Sequence, residues 1–376
     1  MNILFIGPYR QHDEWGQKSR SLLQALQKSD HTVTARPIFL TDNFIYNDYT
    51  EKAEFVTSEA YDVSIQFLLQ PYAVYDGNVK KRIGVFNTET LPLVTSRGQF
   101  TKELLMDELW VDSPSIASNL QDILNNYNKD IKVKATPPLL DITHLSPNSP
   151  ISLVSSDSEL KDRFIFYYIG NILEDKGGFK ETFLAYLTTF TSKDPVALIA
   201  ASEVMVDQAA IQTTLESYRQ SMGVFKRENE QPLIKFIGGE HGMLQLHERI
   251  ALHCDGNCMV APQYSLATNS ITLEGALYKS TPIVNKGNAC YEWWGEENLW
   301  GVESYKERCF TTQRPIPYRF TAAEAWHKPI IESLGNCMKA AYIDKFQRDK
   351  RITANTKLRD HFANASYEIS SNEDSL

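Results

Sequence analysis

The feature that most restricts the fold is an alternation of short apolar runs with amphipathic stretches, beginning at the first residues. The run NILFI ends at Gly7-Pro8, and a polar loop follows through Gly16. SRSLLQALQKSDH then places Leu22, Leu23 and Leu26 on one helical face, and HTVTARPIFL returns as a strand. Strand, loop, helix and strand in that order make a βαβ unit, which crosses over right-handedly into a parallel sheet. YDVSIQFL, RIGVFN, ELWVDS and IKVKATPP supply further strands, several of them separated by helical stretches. This is the pattern of an open α/β sheet.

The pattern stops and then restarts. From Asp141 to about Ser158 the chain is rich in Ser, Pro, Asn and Asp and has no sustained period, which reads as a linker. Beyond it, RFIFYYIGN, VALIAAS, PLIKFIGG, NCMVAP and TPIVN read as strands, with helices at GGFKETFLAYLTTF and ITLEGALYKS. The tail from about Ala322 reads as helical, and the terminal SSNEDSL is acidic and frayed. A chain of 376 residues is long enough for two domains, each with its own core. The expected division is 1–150, 151–325, and a C-terminal helical segment over 326–376 that returns toward the first domain.

Composition narrows the class. Hydrophobic residues make up 42% and charged residues 23%, which fits an ordinary globular protein. No apolar run approaches the roughly 18 to 20 residues that span a bilayer. MNILFIGPYR lacks the basic start and longer apolar core of a secretory signal. The five cysteines are an odd number, so reduced thiols and a cytoplasmic location are expected. The net charge is −9 with no block of Lys or Arg, which does not favour a nucleic-acid partner. HCDGNC pairs Cys254 with Cys258, but no second ligand pair sits at zinc spacing, so no metal site is expected there.

Two stretches carry candidate chemistry. In YYIGNILEDKGGFKETFLAYL a strand ends at Gly170, a loop carries Lys176, and Gly177-Gly178 opens a helix. Glycines at a helix start let the backbone approach a ligand, and the free N–H groups there suit an anion. A lysine ammonium about 4 Å from a phosphate charge contributes roughly 4 kcal/mol at an effective dielectric near 20. The alternative is an ordinary βα turn with a solvated lysine; no Walker loop is present. In the second stretch, NCMVAP brings the chain to a strand end, where open α/β sheets bind ligands. The loop QYSLATNS follows with Thr268, Asn269 and Ser270, and a helix carries Glu274 near its first turn. That acid either complements the helix dipole or accepts hydrogen bonds from ribose hydroxyls.

The order and separation of these stretches resemble the nucleotide-binding half of a GT-B glycosyltransferase of the large retaining family 4. GNILEDKGG has Gly170, Lys176 and Gly177 in register with that family's G-R-x-x-x-x-K-G turn, with Asn171 in the arginine position. PQYSLATNSITLEG keeps Pro262, Leu273 and Glu274 at matching spacing, and STPIV closes the unit. In the first half, GPYRQHDEWGQKSRSLLQAL resembles the family's first glycine-bearing loop and helix, with Gly16 as its glycine. VFNTETLP and ELWVDSPSIASNL resemble the segments that lead to the acceptor side and the serine-marked helix, and KATPPLLDITHLSP the interdomain run, with Leu139 where glycine is usual. The main departure is Leu266, which stands where the family has the first glutamate of an E-x7-E pair that contacts the donor sugar.

The resemblance implies two Rossmann-like domains facing across a cleft, an α/β GT-B architecture. It implies transfer from a nucleoside-diphosphate sugar to an acceptor hydroxyl, with retention and without a metal or other cofactor. Lys176 and Glu89 are the catalytic candidates. The donor side would comprise Gly16, Gly170, Asn171, Lys176, Gly239, Glu240, His241, Thr268, Asn269, Ser270 and Glu274, with the GGEHG turn around the base. His12, Asp13, Asn87 and Glu89 would face the acceptor, which the sequence leaves open among a glycan, a lipid-linked intermediate, a protein and a modified base. Lys18 or Arg20 would replace the phosphate charge absent at Asn171. Two other readings remain: a sugar-nucleotide epimerase or hydrolase of the same fold, and a non-catalytic nucleotide-sugar-binding protein.

Overall fold

A computed structural model of the chain describes residues 1–11, 13–41, 45, 48–58, 60–69, 72–75, 77–91, 102–127, 129–142, 152–154, 157–202, 207–221, 223, 228–237, 244–309 and 324–364. In their described parts, the residues divide into two compact units. One comprises Met1–Asn87, Thr95–His144 and Arg359–Leu376; the other comprises Thr88–Val94 and Leu145–Leu358. The linker read from composition spans the change at His144–Leu145. Two features depart from the expected division. The segment from Thr88 groups with the second unit, and so does the C-terminal helical segment as far as Leu358.

The first unit is a parallel sheet of β1 (Asn2–Gly7), β2 (Thr32–Pro37), β3 (Val63–Phe67), β4 (Lys81–Val85), β5 (Glu108–Val111) and β6 (Lys132–Ala135), in the order β2-β1-β3-β4-β5-β6. Its helices are α1 (Glu14–Gln27), α2 (Asp48–Phe55) and α3 (Pro114–Asn126). Leu22, Leu23 and Leu26 of α1 pack with Ile3, Phe5, Val33, Ile65 and Trp110 in one core. The sequence reading let the polar loop run through Gly16, but α1 starts earlier. Asp13 accepts the Gly16 N–H at 2.9 Å and caps the helix, so Gly16 lies inside its first turn.

The second unit is a parallel sheet of β7 (Phe164–Gly170), β8 (Val196–Ser202), β9 (Leu233–Ile237), β10 (Cys258–Ala261), β11 (Ile283–Asn285) and β12 (Trp300–Val302). Its order is β12-β11-β10-β7-β8-β9, so β7 lies inside the sheet with β10 and β8 as neighbours. Every residue of β8 and β10 is buried, which explains their uninterrupted apolar runs. The helices are α4 (Phe179–Thr189), α5 (Gln208–Ser221), α6 (Leu246–Asp255), α7 (Ser270–Leu277), α8 (Ala289–Asn298), α9 (Ile331–Ile343) and α10 (Lys345–Asn364). A hairpin of β13 (Ser304–Arg308) and β14 (Ala325–Pro329) precedes α9. The helical reading of this tail is therefore wrong over Ala325–Pro329. A proline disfavours helix in the residue before it, so α9 begins only past Pro329, and Trp326 is buried from a strand instead.

Candidate functional site

Strands β7 and β10 are neighbours, and the loops leaving their C-terminal ends meet in the second unit. After Gly170, the last residue of β7, the chain turns on Asn171. The Asn171 Oδ1 accepts the Leu173 N–H at 3.1 Å and its carbonyl accepts the Glu174 N–H at 3.2 Å. Asn171 thus shapes the turn, and the position contributes no charge. A short 3-10 turn over Asp175–Gly177 carries Lys176, and Gly178 starts α4 at φ 77°. A Cβ on Gly178 would lie 2.4 Å from the Pro262 carbonyl oxygen, so both the backbone angle and the loop after β10 require glycine. The Lys176 carbonyl accepts the Tyr264 N–H at 2.9 Å, fastening the two loops together.

The Lys176 ammonium lies 3.0 and 3.3 Å from the two oxygens of Glu89, and 3.4 Å from Glu174 Oε1. Their side chains are 20% exposed for Lys176 and 22% for Glu89. Glu89 was expected on the acceptor side of the first domain, but it groups with the second unit. Backbone pairing explains this: the Glu89 carbonyl accepts the Leu266 N–H at 3.1 Å, and Leu91 pairs with Ala325 in an antiparallel bridge. The two catalytic candidates thus form one ion pair. Glu89 also meets the backbone of Leu266, the position where the resembled family carries an acid.

The loop after β10 is held from below by two asparagines that the sequence reading missed. Asn285 Nδ2 donates to the carbonyls of Gln263 at 2.6 Å and His327 at 2.8 Å. Asn288 Nδ2 donates to Ala267 at 2.7 Å and Ser265 at 3.0 Å, while its Oδ1 accepts the Cys290 N–H and caps α8. A signal was available: VNKGN sets two asparagines in a strand end and the tight turn after it, where an amide reaches backbone groups of adjacent loops. Asn269 caps α7 by accepting the Thr272 N–H at 3.0 Å. Thr268, Asn269 and Ser270 are all buried.

Glu274 is the fifth residue of α7 and lies in its second turn, not its first, which removes the helix-dipole explanation for it. Its side chain is 0% exposed, whereas that of Arg249, in the first turn of α6, is 21% exposed. Arg249 Nη2 donates to Glu274 Oε1 at 3.2 Å, and its Nε lies 2.9 Å from Oε2, an ion pair held by one hydrogen bond. On the other side His253 Nε2 is 3.5 Å from Oε2, while His253 Nδ1 hydrogen-bonds the Tyr167 hydroxyl at 2.9 Å. Burial pushes the His253 pKa down despite the carboxylate, so the ring is neutral at neutral pH and Arg249 supplies the counter-charge.

Most of the remaining candidates belong to the first unit. Asp13 is the α1 cap, and Gly16 sits where a Cβ would be 2.0 Å from the Gln11 carbonyl oxygen. Arg20 donates to the carbonyls of Tyr9 and Gln11, and Lys18 pairs with Asp112 at 3.4 Å, so both suggested replacement cations are engaged within the first unit. Asn87 is half-buried at the end of the first unit's opening segment. His12, Gly239, Glu240 and His241 lie outside the described residues. In YEWWGEENLWG, Trp300 is core, with the Arg351 guanidinium 3.7 Å from its ring centroid; Trp293 and Trp294 are half-buried.

No protein-family model matches the sequence, and no curated protein matches it. Solved structures are similar over nearly the whole chain. A UDP-forming α,α-trehalose-phosphate synthase from Burkholderia xenovorans superposes with a TM-score of 0.61 at 11% identity, covering 96% of this chain and 95% of that one. A trehalose-6-phosphate structure from E. coli bound with UDP-2-fluoro glucose gives 0.61 at 10% identity, over 97% and 96%. An α,α-trehalose 6-phosphate synthase from Burkholderia multivorans gives 0.60 at 10% identity, over 97% and 95%. The likeness defines the class of fold: the chain has the GT-B fold, with two Rossmann-like α/β units. Among the described residues, no helix is long and apolar enough to cross a membrane.

Proposed function

We propose that the chain is a glycosyltransferase that moves a sugar from a nucleoside-diphosphate sugar to an acceptor hydroxyl, with retention and without a metal. The observation that carries this reading is Lys176, which follows β7, lies just ahead of the start of α4 and is fastened to the loop after β10 by the Tyr264 hydrogen bond. An ammonium next to a helix N-terminus is a site for a diphosphate. The fold similarity supports it: the similar structures include a UDP-forming synthase, a complex with a UDP-sugar analogue and a study of glycosyl transfer with retention. On this reading the detailed kinship is to the retaining family 4, and the site of action is the cytoplasm.

The barrier lies in breaking the bond between the anomeric carbon and the β-phosphate oxygen while charge grows on the leaving diphosphate. Lys176 and the backbone N–H groups at the start of α7 stabilise that charge where it develops. The acceptor oxygen bonds to the anomeric carbon from the leaving-group face, and its proton passes to the departing phosphate oxygen. When the diphosphate takes over Lys176, Glu89 is released, and its carboxylate becomes an acceptor for sugar or acceptor hydroxyls. A glycan, lipid-linked, protein or modified-base acceptor fits equally.

A second reading, a nucleotide-sugar-binding protein without turnover, is favoured by Leu266 and by the ion pair that already occupies Lys176. One experiment separates them: binding and donor turnover with UDP, GDP and ADP and their sugars, across an acceptor panel and with EDTA present. The enzyme reading expects a shift in melting temperature with one nucleotide, turnover that survives EDTA, and loss of both in Lys176→Ala. Binding with no turnover anywhere selects the second reading, and no binding by any nucleotide removes both.

A further inference from the structure

Resting on the nucleotide-sugar reading, we infer that Arg249, not Glu274, is the side chain that touches the nucleoside, by donating to ribose oxygens, and that Glu274 is its buried anchor. Sequence pattern points to the acid, because Glu274 matches a motif and Arg249 matches none. The geometry reverses this. Glu274 has no exposed surface, and its oxygens face Arg249 and His253. Arg249 keeps one fifth of its side chain exposed, and no described residue is hydrogen-bonded to its Nη1.

The placement suits a ligand that begins at Lys176. Arg249 lies in the first turn of α6, which follows β9, and Glu274 lies one turn into α7, which follows β10. Both helices start from the same end of the parallel sheet as the Lys176 turn after β7. From Ser270 to Glu274 the helix advances about 6 Å at its usual rise per residue. A nucleoside diphosphate with its phosphates at Lys176 and the α7 N-terminus carries its ribose along α7 toward that second turn. What it meets there is a guanidinium anchored to a carboxylate through Nη2, with no described residue hydrogen-bonded to its Nη1. Fixing a planar guanidinium in this way pre-organises a directional donor. Burial of Glu274 makes the clasp durable, since an ionised carboxylate out of water stays only if paired. The neutral His253 and the Tyr167 hydroxyl behind it complete the support without adding charge.

A donor to ribose oxygens predicts discrimination against nucleotides that lack one. UDP, GDP and ADP are titrated against their 2′-deoxy counterparts by calorimetry, with wild type, Arg249→Met and the double variant Arg249→Met/Glu274→Gln. The double variant removes both charges together, so no buried carboxylate is left unpaired and the fold is retained. Wild type is expected to prefer the ribonucleotide roughly tenfold, as for a hydrogen bond from a charged donor. That preference is expected to collapse toward unity in the double variant, with its melting temperature close to wild type. If wild type binds a ribonucleotide and the double variant keeps the same preference, Arg249 does not touch the ribose and the inference fails while the nucleotide reading stands. If no ribonucleotide binds wild type, the nucleotide reading itself falls.

Discussion

Two ion pairs in the second unit use the same chemistry for opposite ends. In Lys176–Glu89 both side chains keep about one fifth of their surface exposed; in Arg249–Glu274 the acid has none. Partly exposed pairs contribute about 0 to 1 kcal/mol and yield readily to a competing anion. A pair with a buried member costs about 3 to 5 kcal/mol when only one partner is removed, because an uncompensated charge remains. On the proposed reading, the first pair is an exchangeable contact that a diphosphate can enter, and the second is architecture that aims a guanidinium. Burial, rather than the distance between charges, separates a binding contact from a scaffold.

The largest expected effect tests the scaffold. Glu274→Ala leaves Arg249 without its partner and opens a void in α7, so we expect a loss of about 3 to 5 kcal/mol. For a domain of this size that lowers the melting temperature by roughly 10 °C in calorimetry. A Glu274→Ala chain that melts with wild type would erase the distinction between the two pairs.

A third acid sharpens the comparison, because it is buried without a paired cation among the described residues. Glu103 in the first unit is 3% exposed, and burial raises its carboxyl from 4.5 to about 7. A raised carboxyl contributes stability that is fully present below pH 4.5 and lost as pH rises through about 7. Glu103→Gln, which cannot ionise, should therefore be more stable than wild type at pH 8, by on the order of 2 to 3 kcal/mol. That advantage should shrink as pH falls below about 7 and vanish near 4.5, as read from urea midpoints across the range. An advantage independent of pH would mean that Glu103 is already paired.

The smallest effect belongs to the exchangeable pair. Glu89→Gln removes the carboxylate that competes for Lys176, so nucleotide binding should tighten a few-fold at low salt, within the range of a partly exposed pair. The gain should fade as salt rises, and the melting temperature should hardly move. If Glu89→Gln instead weakens binding, Glu89 helps to hold the nucleotide and is not displaced by it.

Much of the fold was legible because parallel strands buried on both faces must be apolar along their whole length. VALIAAS and NCMVAP announced β8 and β10 for that reason. The hairpin was not legible: Ala325–Pro329 has no alternation, and its partner Ser304–Arg308 is largely exposed. The start of α1 was misread because Gly16 suggested a loop, whereas the Asp13 cap and the nearby Gln11 carbonyl make that glycine necessary inside a helix. At the candidate site, Lys176, Gly177 and Glu274 stood in recognisable motifs. Arg249, Asn285 and Asn288 did not, because each acts on a residue distant in sequence and leaves no local period.

By itself, the amino-acid order determined the alternation of strands and helices, the break between the two α/β units, and the strand-end loop that carries Lys176. These depend on local steric preference and on which residues can be dehydrated, and both are written into short windows of sequence. Only the tertiary structure decided that Glu89 joins the second unit to meet Lys176, and that Glu274 turns inward to Arg249. Those pairings follow from the strand order β10-β7-β8-β9 and from which loops hydrogen-bond across it. The free energy of a charge is set by how much water and which countercharge surround it, and only the folded chain assembles that surrounding.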